Sequence, residues 1–298
     1  MKQPILHFDG PVWRPPYEAT SQLLQVTAGC TWHRCKFCTL YGKHKFRMSP
    51  VAEIEADLKV IERYQPRAHR VFLTGANPFV LTVGKLTHIA LLIRKYLGKG
   101  HPTIGCFARI TDIYNKTEED LQLLHQLGFD YLTIGVESGD SETLARVNKG
   151  YAAEDIVAQC KKLEAAGIHY NFFYLVGLAG SGDCLRNALR STEVFNRLHP
   201  VSIGFLSLTL FPESQLYQEM QQGLYKEASE YERIDEMMTL IRNLQCHTHI
   251  MARTVSNPIP FTGALPTDRV SLLHELQTIK ERYTEEQLRS YRDSIESL

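Results

Sequence analysis

Long apolar runs are missing from the 298-residue sequence. None approaches the roughly 20 residues that a membrane-spanning helix needs, and Met1-Lys2-Gln3-Pro4 leads into no apolar signal-peptide core. Membrane partners are therefore not expected. Excess charge is missing too: Lys+Arg 33 against Asp+Glu 33 gives a formal net charge of zero, so a polyanion would feel no general attraction. With no appended basic domain, nucleic acid is not an expected partner. No repeat, low-complexity tract or long linker divides the chain. A disulfide framework is also excluded, because the seven cysteines are odd in number and Cys106, Cys160, Cys184 and Cys246 stand singly. A reducing, cytoplasmic setting is the expectation.

The remaining three cysteines are close together: Cys30-Thr31-Trp32-His33-Arg34-Cys35-Lys36-Phe37-Cys38 follows the mainly apolar run Leu23 to Val26. Three thiols within nine residues point to a metal or cluster site. A [4Fe-4S] cubane is normally held by four cysteines, so three leave one iron open for chemistry. The alternative is a zinc ion on Cys30, Cys35, Cys38 and His33, since zinc accepts three sulfurs and one nitrogen in a closed tetrahedron.

Around the triad, strand-like and helix-like stretches alternate, the pattern of parallel βα units. After the first strand, further strands are expected at Val71 to Thr74, Ile104 to Phe107, Tyr131 to Ile134, Asn171 to Val176 and Ser202 to Thr209. Ser49-Pro50 reads as a helix start, with Ser as N-cap and Pro at the first helical position. Helices are expected over Pro50 to Tyr64, Leu86 to Leu97, Glu118 to Leu127, Ser141 to Val147, Ala153 to Ala166 and Leu185 to Arg197. The alternation establishes an α/β class. The length accommodates one α/β barrel or two small domains, of which one barrel is the simpler.

The triad with Phe37 before its last cysteine, placed just after a first strand, resembles the cluster loop of radical S-adenosylmethionine (SAM) enzymes. The spacing departs from the common C-x3-C-x2-C by one residue, being C-x4-C-x2-C here. The resemblance extends over about Gln22 to Tyr217 and implies a partial (β/α)6 TIM-like barrel with a C-terminal helical extension. The implied division is an extended arm over 1–20, the barrel over 21–224 and the extension, packed on it, over 225–298. It also implies a [4Fe-4S] cluster on Cys30, Cys35 and Cys38, with SAM on the open iron.

Further motifs stand at the expected strand ends, where function gathers in a parallel barrel. Gly75-Ala76-Asn77-Pro78 is similar to the family's Gly-Gly-Glu-Pro segment facing the SAM amino group, with Asn77 where Glu is common. Gly135-Val136-Glu137-Ser138-Gly139, followed by Asn148-Lys149-Gly150, resembles the G-[IV]-E-S-G…N-K-G signature of the branch containing oxygen-independent coproporphyrinogen oxidase and the tRNA methylthiotransferases. There Glu137 would reach the SAM ribose or methionine end and Lys149 its carboxylate. Gly177-Leu178-Ala179-Gly180 is similar to the turn packing beside adenine, and Arg109 is a candidate carboxylate clamp. Implied cofactor-binding residues are thus Phe37, Gly75, Ala76, Asn77, Arg109, Glu137, Ser138, Lys149 and Leu178.

The implied activity is reductive cleavage of SAM to a 5′-deoxyadenosyl radical and hydrogen abstraction from a substrate. No second cysteine triad is present, which disfavours methylthiolation, and a small-molecule substrate is expected. Reduced flavodoxin or ferredoxin would be the electron donor, and Lys43, Lys45 and Arg47 offer a basic segment for an acidic one. A zinc- or cluster-bearing binding protein without turnover stays open beside it. Toward the C-terminus, an acidic helix over Glu227 to Leu244 precedes His247 and His249, which alternate as on a strand and make poor chelate geometry. An irregular loop through Asn257-Pro258-Ile259-Pro260 and Gly263 to Pro266 then leads to helices over Thr267 to Tyr283 and Thr284 to Ser297.

Overall fold

Leu24 and Val26 are wholly buried, and the apolar run that contains them forms β1 (Gln22–Gln25). In this computed structural model the described residues are 6–42, 44–258 and 260–296; Met1 to Pro4, Lys43, Ile259 and Ser297 of the readings above lie outside them. After β1 come β2 (Thr27–Ala28), β3 (Arg47–Met48), α1 (Val51–Tyr64), β4 (Arg70–Thr74), α2 (Val83–Leu97), β5 (Thr103–Ala108), α3 (Glu118–Gln126) and β6 (Phe129–Glu137). Then follow α4 (Ser141–Arg146), α5 (Ala153–Ala165), β7 (His169–Val176), α6 (Cys184–Phe195), β8 (Ser202–Ser207), α7 (Gln215–Gln221) and α8 (Glu230–Asn243). The chain ends with β9 (Thr248–Ala252), β10 (Phe261–Leu265), α9 (Arg269–Arg282) and α10 (Glu285–Asp293). The expected α/β class is the observed one, with a mostly parallel sheet of eight strands. Among the described residues no helix is long and apolar enough to cross a membrane.

Two compact units divide the chain: residues 1–33, 40–134 and 161–170 form one, and 34–39, 135–160 and 171–298 the other. In the first, β1 pairs parallel with β4, β4 with β5 and β5 with β6, while β2 and β3 pair antiparallel. The N-terminal arm is fastened to this unit. Asp57 accepts from the His7 main chain at 3.1 Å and pairs with its ring at 2.6 Å. The buried Glu18 accepts from Arg70, and the Tyr17 and Thr133 hydroxyls bond at 2.7 Å. α1 begins one residue later than the Ser-Pro signal suggests: Ser49 is buried and its main-chain N–H donates to Val26 O, so Pro50 stands at the cap without a side-chain bond.

In the second unit β7 pairs parallel with β8 and β8 with β9, and β10 closes antiparallel on β9. The 225–298 segment is therefore not purely helical. The loop expected through Pro266 contains β10, because prolines confined to 258, 260 and 266 leave Phe261 to Leu265 free to donate to an edge ladder. β8 stops at Ser207, two residues before the expected Thr209. The Leu208 carbonyl beyond it accepts from Arg233 and Arg292 rather than from a strand.

Candidate functional site

In the first unit, the cysteine loop leaves β2 through Gly29 and Cys30 and meets the turn after β4. Gly75 in that turn has φ +125°, and a Cβ there would lie 2.7 Å from Thr27 O, so only glycine lets the strand ends approach. Ala76 is half-buried beside it. Asn77 is fully buried, and its side chain is spent on the protein. Its Oδ1 accepts from Thr31 N at 3.3 Å, and its Nδ2 donates to Thr31 Oγ1 at 2.8 Å and to the Asp112 carboxylate at 3.0 Å. The carboxylate fixes which way the amide faces, since it can only accept.

Asp112 follows β5 in a short turn whose start is Arg109, and it accepts from the Arg109 main-chain N–H at 2.8 Å. Burial pushes its carboxyl up to about 6, against lowering by the Arg109 and Asn77 hydrogen bonds. The Arg109 guanidinium, itself buried, lies 4.9 Å from the centre of the Trp32 ring. Lys116 is buried under this turn, donating to Phe79 O at 2.7 Å and Asp112 O at 2.8 Å, and burial lowers its pKa.

In the second unit, Cys35 and Cys38 bracket a turn in which Cys38 N–H donates to Cys35 O at 3.2 Å. Lys36 N–H donates to Val147 O at 3.0 Å, and Leu216 N–H donates to Lys36 O at 2.8 Å. Phe37 packs on an apolar cluster of Val147, Leu175, Leu178, Leu208, Leu216 and Tyr225. β6 ends in Glu137, whose φ of +64° is uncommon for a residue with a Cβ. Its Oε1 is 3.0 Å from the buried Lys149 Nζ, and that ammonium lies 5.8 Å from the Phe37 ring centre and 6.0 Å from that of Tyr151. Tyr151 OH in turn donates to Gly135 O at 3.1 Å.

Phe37, Glu137 and Lys149 are thus brought together, and Asn77 and Arg109 meet through Asp112. Two expected cofactor-binding residues lie in the scaffold. Ser138 is fully buried, its hydroxyl donating to Asn187 Oδ1 at 2.5 Å and accepting from Asp140 N at 2.9 Å. Leu178 is inside the apolar cluster. Asp112 and Tyr151 were missed; each stands within three residues of a motif residue, Arg109 or Lys149, and that proximity was the available signal. In the basic segment Lys45 is exposed, but Arg47 is paired with Asp9.

The cysteines form no disulfide. Among the described residues no three His, Cys, Asp or Glu side chains gather as they would on a single metal ion. A zinc ion needs its ligands on one centre at about 2.0–2.3 Å, whereas a cubane takes one thiolate per iron, at separate corners. His33 Nε2 already accepts from Cys30 N at 3.3 Å. Three cysteines match the ligand count of a cubane with one open iron, and the His33 nitrogen that would complete a zinc site is engaged within the chain.

Fold and loop together define an α/β protein with a mostly parallel sheet and a cysteine loop after the first strand. The chain belongs to the radical SAM superfamily, whose model matches residues 24–190, a family of enzymes that use a [4Fe-4S] cluster and SAM. Among curated proteins it is similar to the heme chaperone HemW of Bacillus subtilis (strain 168), 22% identical over 198 residues, which are 64% of this chain and 51% of that protein. It spans about half the length of that relative. Among solved structures it is similar to coproporphyrinogen III oxidase (HemN) from Escherichia coli, with TM-score 0.54 and 17% identity over 74% of this chain and 51% of that one. It is also similar to the methyltransferase TsrM from Kitasatospora setae, solved with cobalamin and a [4Fe-4S] cluster, with TM-score 0.51 and 18% identity over 67% and 39%.

Proposed function

We propose that the chain binds a [4Fe-4S] cluster through Cys30, Cys35 and Cys38 and SAM beside it, and acts on a small-molecule substrate by hydrogen abstraction. The observation that carries the reading is the cysteine triad at the head of a radical SAM family match. When bound, the cluster and SAM supply a 5′-deoxyadenosyl radical. The chain's own residues would bind and orient. The Lys149 ammonium suits the SAM carboxylate, with Glu137 as its counter-charge and an acceptor for hydroxyl or ammonium. The glycine turn at Gly75 and Ala76 allows close main-chain approach. Phe37 and its apolar cluster would keep water from the reacting centre. Reduced flavodoxin or ferredoxin is the proposed donor in a cytoplasmic setting, with Lys45 and Arg47 of the basic segment both exposed and Arg47 paired with Asp9.

The test is anaerobic reconstitution, incubation with SAM and dithionite, and chromatography for 5′-deoxyadenosine. Its formation by the wild type, and loss when the three cysteines are replaced by alanine, is the expected result. Cluster-loaded protein with no SAM affinity would overturn the reading. A second reading, a cluster-bearing binding protein without turnover, draws on the relative named as a heme chaperone. A haem titration separates the two: stoichiometric haem binding with no SAM cleavage favours the second.

A further inference from the structure

The spacer between the first two cysteines is one residue longer than the common one, and its first three residues are each fastened. Thr31 is held at its N–H and its hydroxyl by Asn77. The Trp32 ring centre lies 4.9 Å from the Arg109 guanidinium, and the Trp32 main-chain N–H donates to Cys30 Sγ at 3.4 Å. His33 takes a left-handed φ of +50° and turns its ring back so that Nε2 accepts from Cys30 N. Asn77 and Arg109 are fastened in their turn by one carboxylate, that of Asp112, which accepts from the Asn77 amide and from the Arg109 main chain. The extended loop thus rests on a buried platform built by the turns after β4 and β5.

We propose that Asn77, Asp112 and Arg109 are positioning residues for the first half of the cysteine loop. They hold the longer spacer in the shape that aims the Cys30 sulfur, and Asn77 does not itself bind SAM. Three observations support this. The Asn77 side chain is fully buried, with both its amide oxygen and its amide nitrogen bonded to protein. The platform reaches the main chain of Thr31, next to Cys30, so a shift in Asn77 is transmitted directly to the sulfur's own backbone. The Trp32 N–H on Cys30 Sγ means that moving Trp32 also changes the hydrogen bonding of that sulfur, one of the levers on a cluster's potential.

The proposal rests on Cys30 being a cluster ligand for its consequence, but its test begins on cluster-free protein and so can fail separately. Reduced apo-protein is treated briefly with iodoacetamide, and the alkylation of Cys30 and Cys38 is compared within each molecule by peptide mass spectrometry. Cys38, whose turn is held through Lys36 by the second unit, is the internal reference. Asn77→Ala should raise the Cys30 to Cys38 ratio by about three- to tenfold, the range that one or two net hydrogen bonds give. Should Asn77→Ala fold poorly, Thr31→Val removes the same hydroxyl contact from the exposed end and should shift the ratio in the same direction by a smaller factor. In reconstituted Asn77→Ala protein, the electron paramagnetic resonance spectrum of the reduced cluster should change, while SAM affinity per loaded cluster stays within about twofold of wild type. An unchanged ratio in both variants would overturn the positioning role. An unchanged ratio with SAM affinity lost would instead make Asn77 a SAM ligand.

Discussion

Cys30 adjoins a segment fastened by side chains, Asn77 to Thr31 and Arg109 to Trp32. Lys36, between Cys35 and Cys38, is fastened by its own main chain to Val147 and Leu216. Side-chain fastenings depend on residue identity, so the first half of the loop can change with single substitutions. Main-chain fastenings survive most substitutions and yield only when the packing beneath them moves. The two halves of one short motif are therefore open to different kinds of change.

The largest effect would come from removing a thiol. Cys35→Ala should abolish cluster incorporation while leaving the far-ultraviolet circular dichroism unchanged, because Cys35 is only half-buried and outside the core. SAM cleavage retained by that variant would remove Cys35 from the ligand set. Leu178→Ala, which hollows the cluster under Phe37, should lower stability in urea by about 2–5 kcal/mol. It should also raise Cys38 alkylation with little change at Cys30; a rise at Cys30 alone would contradict the division drawn above.

A third effect depends on pH. The Asp112 carboxyl is raised in the folded state to about 6 from 3.8, so the folded protein binds a proton more tightly than the unfolded chain. The stability this confers is fully present below about pH 4 and is lost as pH rises through 6, a change of up to about 3 kcal/mol. Asp112→Asn should flatten that part of the wild-type stability curve between pH 4 and 6, as followed by urea denaturation; parallel curves would disprove the shift. Smallest, Lys149→Ala removes the partner of Glu137 and should weaken SAM binding by roughly ten- to a hundredfold, measured by calorimetry, with iron content intact. Unchanged affinity would take Lys149 out of the site.

Much of this arrangement could be read from the residues. The βα alternation marked β4 to β8 to within a few residues, because each is a run of apolar residues between polar helical stretches. Glu137 and Lys149 stood out through their likeness to the G-[IV]-E-S-G…N-K-G signature, and the structure pairs them at 3.0 Å. β10 was not legible, since Phe261 to Leu265 lies among prolines and glycine that favour a loop, and its strand conformation comes from pairing with β9. Ser138 was expected as a ligand through the same motif, and its hydrogen bond to the buried Asn187 comes from a residue 49 positions away that no local pattern points to. Asp112 was invisible for a similar reason: its role depends on two partners, at Asn77 and Arg109, that come from different turns.

The arginines at the ends of β7 and β8 bear on how far relatives of this chain could exchange parts. Arg233 of α8 donates to Val176 O at 3.1 Å and Leu208 O at 3.0 Å, and Arg292 of α10 donates to Leu208 O at 3.1 Å. Glu230 grips Arg292 with both oxygens, at 2.5 and 2.7 Å, and all three charged residues are buried. Breaking such a pair by removing one partner costs about 3–5 kcal/mol. The family match ends at residue 190, yet the carbonyls that terminate these strands are capped from residues 233 and 292. A chimera that took its C-terminal segment from another member would have to bring equivalent arginines with it, or leave these strand-end carbonyls without their donors.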